Sequence, residues 1–412
     1  MTNKSKNSIA EASPACKQIR DFNKGRIPEL LKLKYKAMRA NSFGFFRGSC
    51  HLFYADYAAS AKPKDPTRAW ICGDLHLENF GTFKGDNRAV YFDMNDFDEA
   101  ILAPCTWEVA RALTSIHLAA HTSGFSNAKA DLLCKSFVET YAQTLATGKA
   151  GSVEKSTVRG IVKKFLVTLE DRKREVFIQS RTVVKKGKLK LNIDHKHALP
   201  VSIAKREKLI HFMDVWRGSR PDRKFFKVLD VAVRIAGTGS LGVERYVILV
   251  YGNGPGQHYL LDLKTASPSC LHPHIKIKQP HWSSEAERIT EVQKRVEAVP
   301  PALLSDVHFN GHSFILKELQ PTSDKMRLGV YGGKWKKLHE VICAMARITA
   351  WGHLRSGGRQ GSSIADEFIA FGKQEAWKKQ LLSFASKYKD KVEKDYKDYS
   401  EAFDKGYFKI PE

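Results

Sequence analysis

Following Pro28, the apolar positions Leu30, Leu31, Leu33, Tyr35, Ala37 and Met38 recur at helical spacing, which predicts a helix with proline in its first turn. From 69 to 98 the pattern shortens to β-rich runs, AWICGDLHLENFGTF and AVYFDMNDFD, divided by the polar turn KGDNR. This predicts strand, loop, strand, turn, strand. Residues 107 to 180 return to helical periodicity, with Trp107, Val109, Ala110, Leu113 and Ile116 on one face. A hairpin turning at Gly187 is expected in VVKKGKLKLNI. Then FKVLDVAVRI and RYVILVYG read as strands flanking a glycine loop, YLLDLKTA as a third strand, 283 to 298 as a helix and FILKEL, 314 to 319, as a further strand. Two helices close the chain, at 336 to 354 and along a stripe of Trp377, Leu381, Phe384, Tyr388, Val392, Tyr396, Tyr399 and Phe403 that is expected to pack into a core.

The mixture predicts an α+β protein, and 412 residues at 42% hydrophobic content suffice for a large core or two domains. No apolar run has the length of a secretion signal or a membrane span. Seven scattered cysteines without a C-x-x-C pair argue against a disulfide framework or a zinc site and fit a reducing cytoplasm. The net charge of +24 is uneven: residues 181 to 227 hold 14 Lys/Arg against 4 Asp/Glu. Such a field attracts phosphorylated or acidic partners, nucleic acid among them, although a solvated basic surface is the plainer account.

Asp74 and Asn79 stand five apart in G-D-L-H-L-E-N. At that spacing one loop orients a nucleophile through Asp and holds magnesium through Asn. His76 between them orders the loop or packs there. After the hairpin come Asp93, Asp96 and Asp98, hard-oxygen candidates for Mg²⁺. Hairpin length favours Asp93, whereas the Asp96-Phe97 order and Glu108 twelve residues on favour Asp96, the preferred choice. Gly237-Thr238-Gly239-Ser240-Leu241-Gly242 matches G-x-G-x-x-G, and a strand rather than a helix follows it, as in the phosphate-covering hairpin of kinases rather than a dinucleotide fold. Lys264, on the next strand, is placed to reach nucleotide phosphates. Its expected partner is Glu291, with Glu287 in reserve, and FILKELQ, which includes Glu318, stands where a hinge meets adenine.

In an ordinary kinase the glycine loop precedes the catalytic loop, whereas here Asp74 comes first. A circular permutation of a bilobal kinase-like fold is therefore expected, possible where termini lie close together. Its segments are 1–72, helical; 73–180, catalytic-loop hairpin and helices; 181–224, basic linker and hairpin; 225–322, β-rich nucleotide lobe; and 323–412, C-terminal helices.

FGFFRGS (43 to 49), CGDLHLENFG (72 to 81), VYFDMNDFDEA (90 to 100), WEVARAL (107 to 113), RIAGTGSLGVERY (234 to 246), LDLKTA (261 to 266) and FILKELQP (314 to 321) together resemble the bacterial domain of unknown function 2252 family. That family looks related to protein-kinase-like and aminoglycoside-phosphotransferase-like enzymes, so the resemblance implies the fold and site but no substrate. Cys72 stands where aminoglycoside phosphotransferases carry histidine. Arg47, in the FFRG element, is a candidate phosphate or acceptor contact, or a helix-end arginine.

The leading expectation is phosphoryl transfer from Mg-ATP to a hydroxyl, with nucleotidyl transfer as a variant. A metal-dependent phosphoesterase built on Asp74, His76, Asp93 and Asp96, and a non-catalytic basic module binding nucleic acid through 181–227, are the alternatives.

Overall fold

The structure is a computed structural model that describes residues 12–153, 155–156, 158–321 and 334–410. The first and last expected segments are thus described only in part.

Four helices open the chain: α1 (Pro14–Phe22), α2 (Pro28–Arg39), α3 (Ser42–Gly48) and α4 (Cys50–Ala59). Both α1 and α2 start with proline, whose missing N–H has no intrahelical partner to lose. The next stretch holds β1 (Ala69–Ile71), β2 (Phe80–Lys84), β3 (Val90–Met94) and β4 (Ile101–Ala103), with β1 paired to β4 and β2 to β3, both antiparallel. β4 was not anticipated, because three residues are too few to show a periodicity. Helix α5 (Thr106–Thr122) is buried without a break from Thr106 to Ala120 and so runs through the core rather than along its surface. α6 (Asn127–Ala146), α7 (Gly160–Glu170) and α8 (Arg174–Gln179) follow.

The expected hairpin forms as β5 (Thr182–Lys185) and β6 (Lys188–Leu191), turning through Lys186 and Gly187 at φ 49° and 70°. The rest of the supposed linker is β7 (Ala198–Leu199) and α9 (Ile203–Gly218); only Leu209 and Met213 of α9 are buried, too sparse a stripe to read. β8 (Val228–Arg234), β9 (Arg245–Val250), β10 (Tyr259–Thr265), α10 (Glu285–Val296), β11 (Ser305–Phe309) and β12 (His312–Glu318) complete the middle of the chain. Strands β11-β12-β10-β9-β8-β7, in that order, make one antiparallel six-stranded sheet. One face packs Val231, Ile248, Leu261 and Phe314 against Leu209 and Met213 of α9. The opposite face places Ala232, Val247, Leu249 and Leu260 against Ile178, Leu191 and Ala198.

α11 (Trp335–Ser356), α12 (Ala365–Gly372) and α13 (Ala376–Asp404) return to the helical core. The aromatic stripe of α13 does pack: Trp377, Leu381, Tyr388, Val392 and Tyr399 are buried. Truncating such a side chain, Leu381 for instance, costs about 2–5 kcal/mol. Among the described residues no helix is long and apolar enough to cross a membrane.

Where α10 ends, two acids share a buried space. Asp93, 6% exposed, accepts from the N–H groups of Met94 (2.8 Å) and Ala298 (3.2 Å). Glu297 beside it takes a hydrogen bond from Gln293 (2.9 Å), and Arg355 and Lys317 are the nearby cations. Burial, only partly offset by Arg355 and the two N–H groups, pushes Asp93 up from 3.8 to about 6, and burial together with Asp93 also raises Glu297. A raised carboxyl keeps its proton in the fold at pH values where the unfolded chain releases it. Its contribution is therefore full below about pH 4 and is lost as the pH rises to about 6. Relative to Asp93→Asn, the wild-type chain should lose roughly 2–3 kcal/mol of unfolding free energy across that window and then stay level. Urea titrations of both proteins from pH 4 to 7 check this; parallel curves would remove Asp93 as the cause.

Candidate functional site

β1 delivers the chain into the loop 72–76, a short 3₁₀ turn at Leu77–Asn79, and then β2. Gly73 has φ +85°, and a Cβ there would stand 2.3 Å from the carbonyl oxygen of Glu99, so both backbone conformation and space call for glycine. Helix α5 holds the loop at two positions one turn apart. Glu108, fully buried, accepts from Cys72 N–H (2.8 Å) and Gly73 N–H (3.3 Å) through Oε2, while Oε1 takes the Nε2–H of His353 at 2.5 Å. The Tyr141 hydroxyl lies 2.8 Å from His353 Nδ1, so both ring nitrogens have a partner. Arg111, 0% exposed, donates to Asp74 Oδ1 at 2.6 Å and to the Phe46 carbonyl at 3.1 Å, and stacks over the Phe46 ring. Cys72 therefore needs no imidazole of its own: the support of this loop comes from α5 and α11.

Asn79 ties the loop to the segment after β3. Its Nδ2 donates to the carbonyls of Asp74 (3.0 Å) and Asp96 (3.1 Å), whereas its buried Oδ1 takes no hydrogen bond. Asn79, Asp96 and Asp98 line one cleft with Asp74, His76 and the glycine loop. An orphaned amide oxygen next to Asp96 suits a hard cation. Among the described residues no three His, Cys, Asp or Glu side chains converge on one point, so the fit is to an ion such as Mg²⁺ that completes its shell with substrate oxygens and water.

The glycine loop between β8 and β9 bends through Gly237 and Gly242, both at positive φ, and is fixed from the front by α2 and the residues before it. Arg26 donates to the carbonyls of Gly239 (2.9 Å) and Leu241 (2.7 Å), Lys34 to that of Gly239 (2.9 Å), and Ile27 N–H to that of Gly242 (2.8 Å). Lys34 is 1% exposed, and burial first, Arg26 second, hold its ammonium well below the usual lysine range. Gly239 and Thr238 face the cleft, where a Cβ on Gly239 would lie 4.0 Å from Asp74 Oδ2. Ser240 donates to Asp98 (3.2 Å), and Lys264 is ion-paired with Asp98 and lies 3.6 Å from Asp96.

Several expectations need correcting. Asp93 is turned to the end of α10 and does not join Asp74, His76 and Asp96, so neither a metal role for it nor the four-residue phosphoesterase set is assembled. Glu291 pairs with Lys294 (2.9 Å) and Arg295 (3.9 Å), and Glu287 caps the start of α10; neither meets Lys264, whose ammonium goes to the acids after β3. The buried face of α10 is Ala286, Ile289, Gln293 and Val296, and both glutamates lie off it. Glu318 is held by a forked pair with Arg88 (2.8 and 3.0 Å). His76 receives the Glu78 N–H (3.1 Å) as the cap of the 3₁₀ turn, 4.0 Å from Asp74, and Arg47 pairs with Glu78 in the cleft wall. Arg26, Lys34, Arg111 and His353 were missed. A lysine inside the apolar stripe of α2 was the one signal for Lys34.

Of the basic segment, Lys190 and Arg206 pair with Asp230, Lys205 with Glu244 and Arg217 with Asp214, which offsets part of its charge locally.

No curated protein and no solved structure matches the chain. One family model, described as uncharacterized protein conserved in bacteria (DUF2252), matches residues 26–402, a span that takes in the Asp74 loop, the glycine loop and Lys264. With nearly its whole length so matched, the chain belongs to the DUF2252 family.

Proposed function

We propose that the chain is a kinase-like phosphotransferase that moves a phosphoryl group from Mg-ATP to a hydroxyl of an acceptor. The observation that carries this reading is the meeting of Gly239 with Asp74, 165 residues apart in sequence, at one cleft that also holds Asn79 and Asp96. A loop joining the first two strands, a lysine on the third and a helix after it is the order found in protein kinases. On this reading 225–322 is a nucleotide lobe set between helical segments of a circularly permuted, bilobal fold.

Asp74, steered by Arg111, accepts or orients the acceptor hydroxyl. Asn79 Oδ1 and Asp96 would hold Mg²⁺, which would supply charge neutralisation at the phosphates. Lys264 passes from Asp98 to those phosphates when they arrive, and the glycine loop covers them with N–H groups. Catalysis is then mostly positioning and charge neutralisation. Arg26 and Arg47 line the front of the cleft and favour an acidic or phosphorylated acceptor.

Calorimetric titration of ATP, with and without Mg²⁺, into wild type and Asp96→Ala tests this. Binding should require Mg²⁺ and weaken by about tenfold or more in the variant, the scale of one charge-assisted contact. A well-folded wild-type protein that ignores Mg-ATP sinks the proposal. ADP as product marks phosphoryl transfer, and pyrophosphate marks nucleotidyl transfer.

A further inference from the structure

We infer that the cleft selects its donor by the polyphosphate chain and leaves the base unread, so that nucleoside triphosphates of any base, and inorganic tripolyphosphate, bind alike. This rests on the proposed phosphotransfer site and concerns the space beyond it.

The strand registers set Arg234, Arg245, Asp262, Lys264 and Lys317 on one face of the sheet, together with Ala232, Val247, Leu249 and Leu260. A base bound beneath such a sheet needs an apolar roof. Here the half nearest Lys264 is ionic: Asp262, 2% exposed, sits between Arg234 (2.5 Å) and Arg245 (2.5 and 2.8 Å). The two guanidinium groups hold its carboxyl far below the usual range in spite of burial. Opening so buried an ion cluster to admit a neutral ring would strand charge without compensation. The apolar half is covered by the chain itself, through Ile178, Leu191 and Ala198.

Several groups of the strand end that would read a base are also committed. Glu318 N–H donates to Ala302 (2.9 Å) and Leu319 N–H to Leu260 (2.8 Å); the Gln320 carbonyl accepts from Arg234 (3.0 Å), and Pro321 has no N–H. The Gln320 side chain is bound to Thr82 and Asn95. The groups nearest the glycine loop are of the kind that recognises phosphate: the loop itself, Lys264, and Asn79 with Asp96. A cavity does lie past Arg234, lined by Val247, Leu260, Leu319 and His197. Among the described residues, that cavity and a second at the strand end, lined by Phe83, Phe177, Ala302 and Leu319, offer apolar walls; the Arg234–Asp262–Arg245 cluster stands between the first and Lys264, and Lys317 with the Arg88–Glu318 pair lines the second.

The test is calorimetry of the full chain with Mg²⁺ and, in turn, ATP, GTP, CTP and inorganic tripolyphosphate. The four dissociation constants should agree within about threefold, and Lys264→Ala should weaken all four by a common factor of about tenfold or more. Tight ATP binding with tripolyphosphate ignored, or ATP strongly preferred over GTP and CTP, overturns the inference and leaves the phosphotransfer reading standing; the base then occupies one of these two cavities. No Mg²⁺-dependent binding of any of the four overturns both.

Discussion

In urea, the Glu108→Ala chain should unfold with a free energy about 4 kcal/mol below wild type, since three donors lose their acceptor at once and each buried unsatisfied group costs about 1–3 kcal/mol. Those donors are the N–H groups of Cys72 and Gly73 and Nε2–H of His353, and Cys72, Glu108 and His353 are all 0% exposed, so water cannot take over. Glu108→Gln separates the two halves of this effect. With its amide oxygen toward the loop, glutamine keeps both backbone bonds and disturbs only the imidazole, so it should lose about half as much. A Glu108→Ala chain within 1 kcal/mol of wild type would mean that the loop is held some other way.

The second large effect belongs to Arg111→Met. Methionine fills a similar volume but removes the cation from Asp74 and the donor from the Phe46 carbonyl. Breaking a buried pair from one side costs about 3–5 kcal/mol, and because the Asp74 side chain is 21% exposed, the lower end of that range, about 3 kcal/mol, applies. Adding Asp74→Asn removes the stranded charge, so the double variant should recover part of the loss, with a coupling on the order of 2 kcal/mol in a double-mutant cycle. Additive losses would show that Arg111 stabilises through packing on Phe46 alone.

Both predictions concern groups that act through the chain rather than next to it, and this explains what the sequence could and could not disclose. The Asp74 and Asn79 spacing, the strand after the glycine loop and the lysine on β10 are local patterns, and the corresponding loop and strands are present. The stripe of α13 was readable for the same reason: one long helix repeats its buried positions many times. Glu108, Arg111 and His353 depend on which helix packs beside which loop, and that is settled only in three dimensions. Glu291 went astray differently. Two acids at i, i+4 define a helix face, but Ala286, Ile289 and Val296 already marked the other face as buried. Asp93 shows the limit of counting residues along a hairpin: moving from Asp93 in β3 to Asp96 just past its end exchanges the end of α10 for the cleft.

The His353 contact with Glu108 spans 245 positions and has a consequence for synthesis. A nascent chain released as far as β12 already contains Asp74, Asn79, Asp96, the glycine loop and Lys264, yet it lacks the imidazole that fixes Glu108. At bacterial elongation rates the interval between making Glu108 and making His353 is on the order of tens of seconds. During that time the Asp74 loop is held by its backbone bonds to Glu108, the Arg111 pair and the Asn79 amide, with Glu108 itself not yet fixed by the imidazole. The competent geometry is therefore a late product of translation, completed when α11 docks, and an incomplete chain is kept from presenting a finished site.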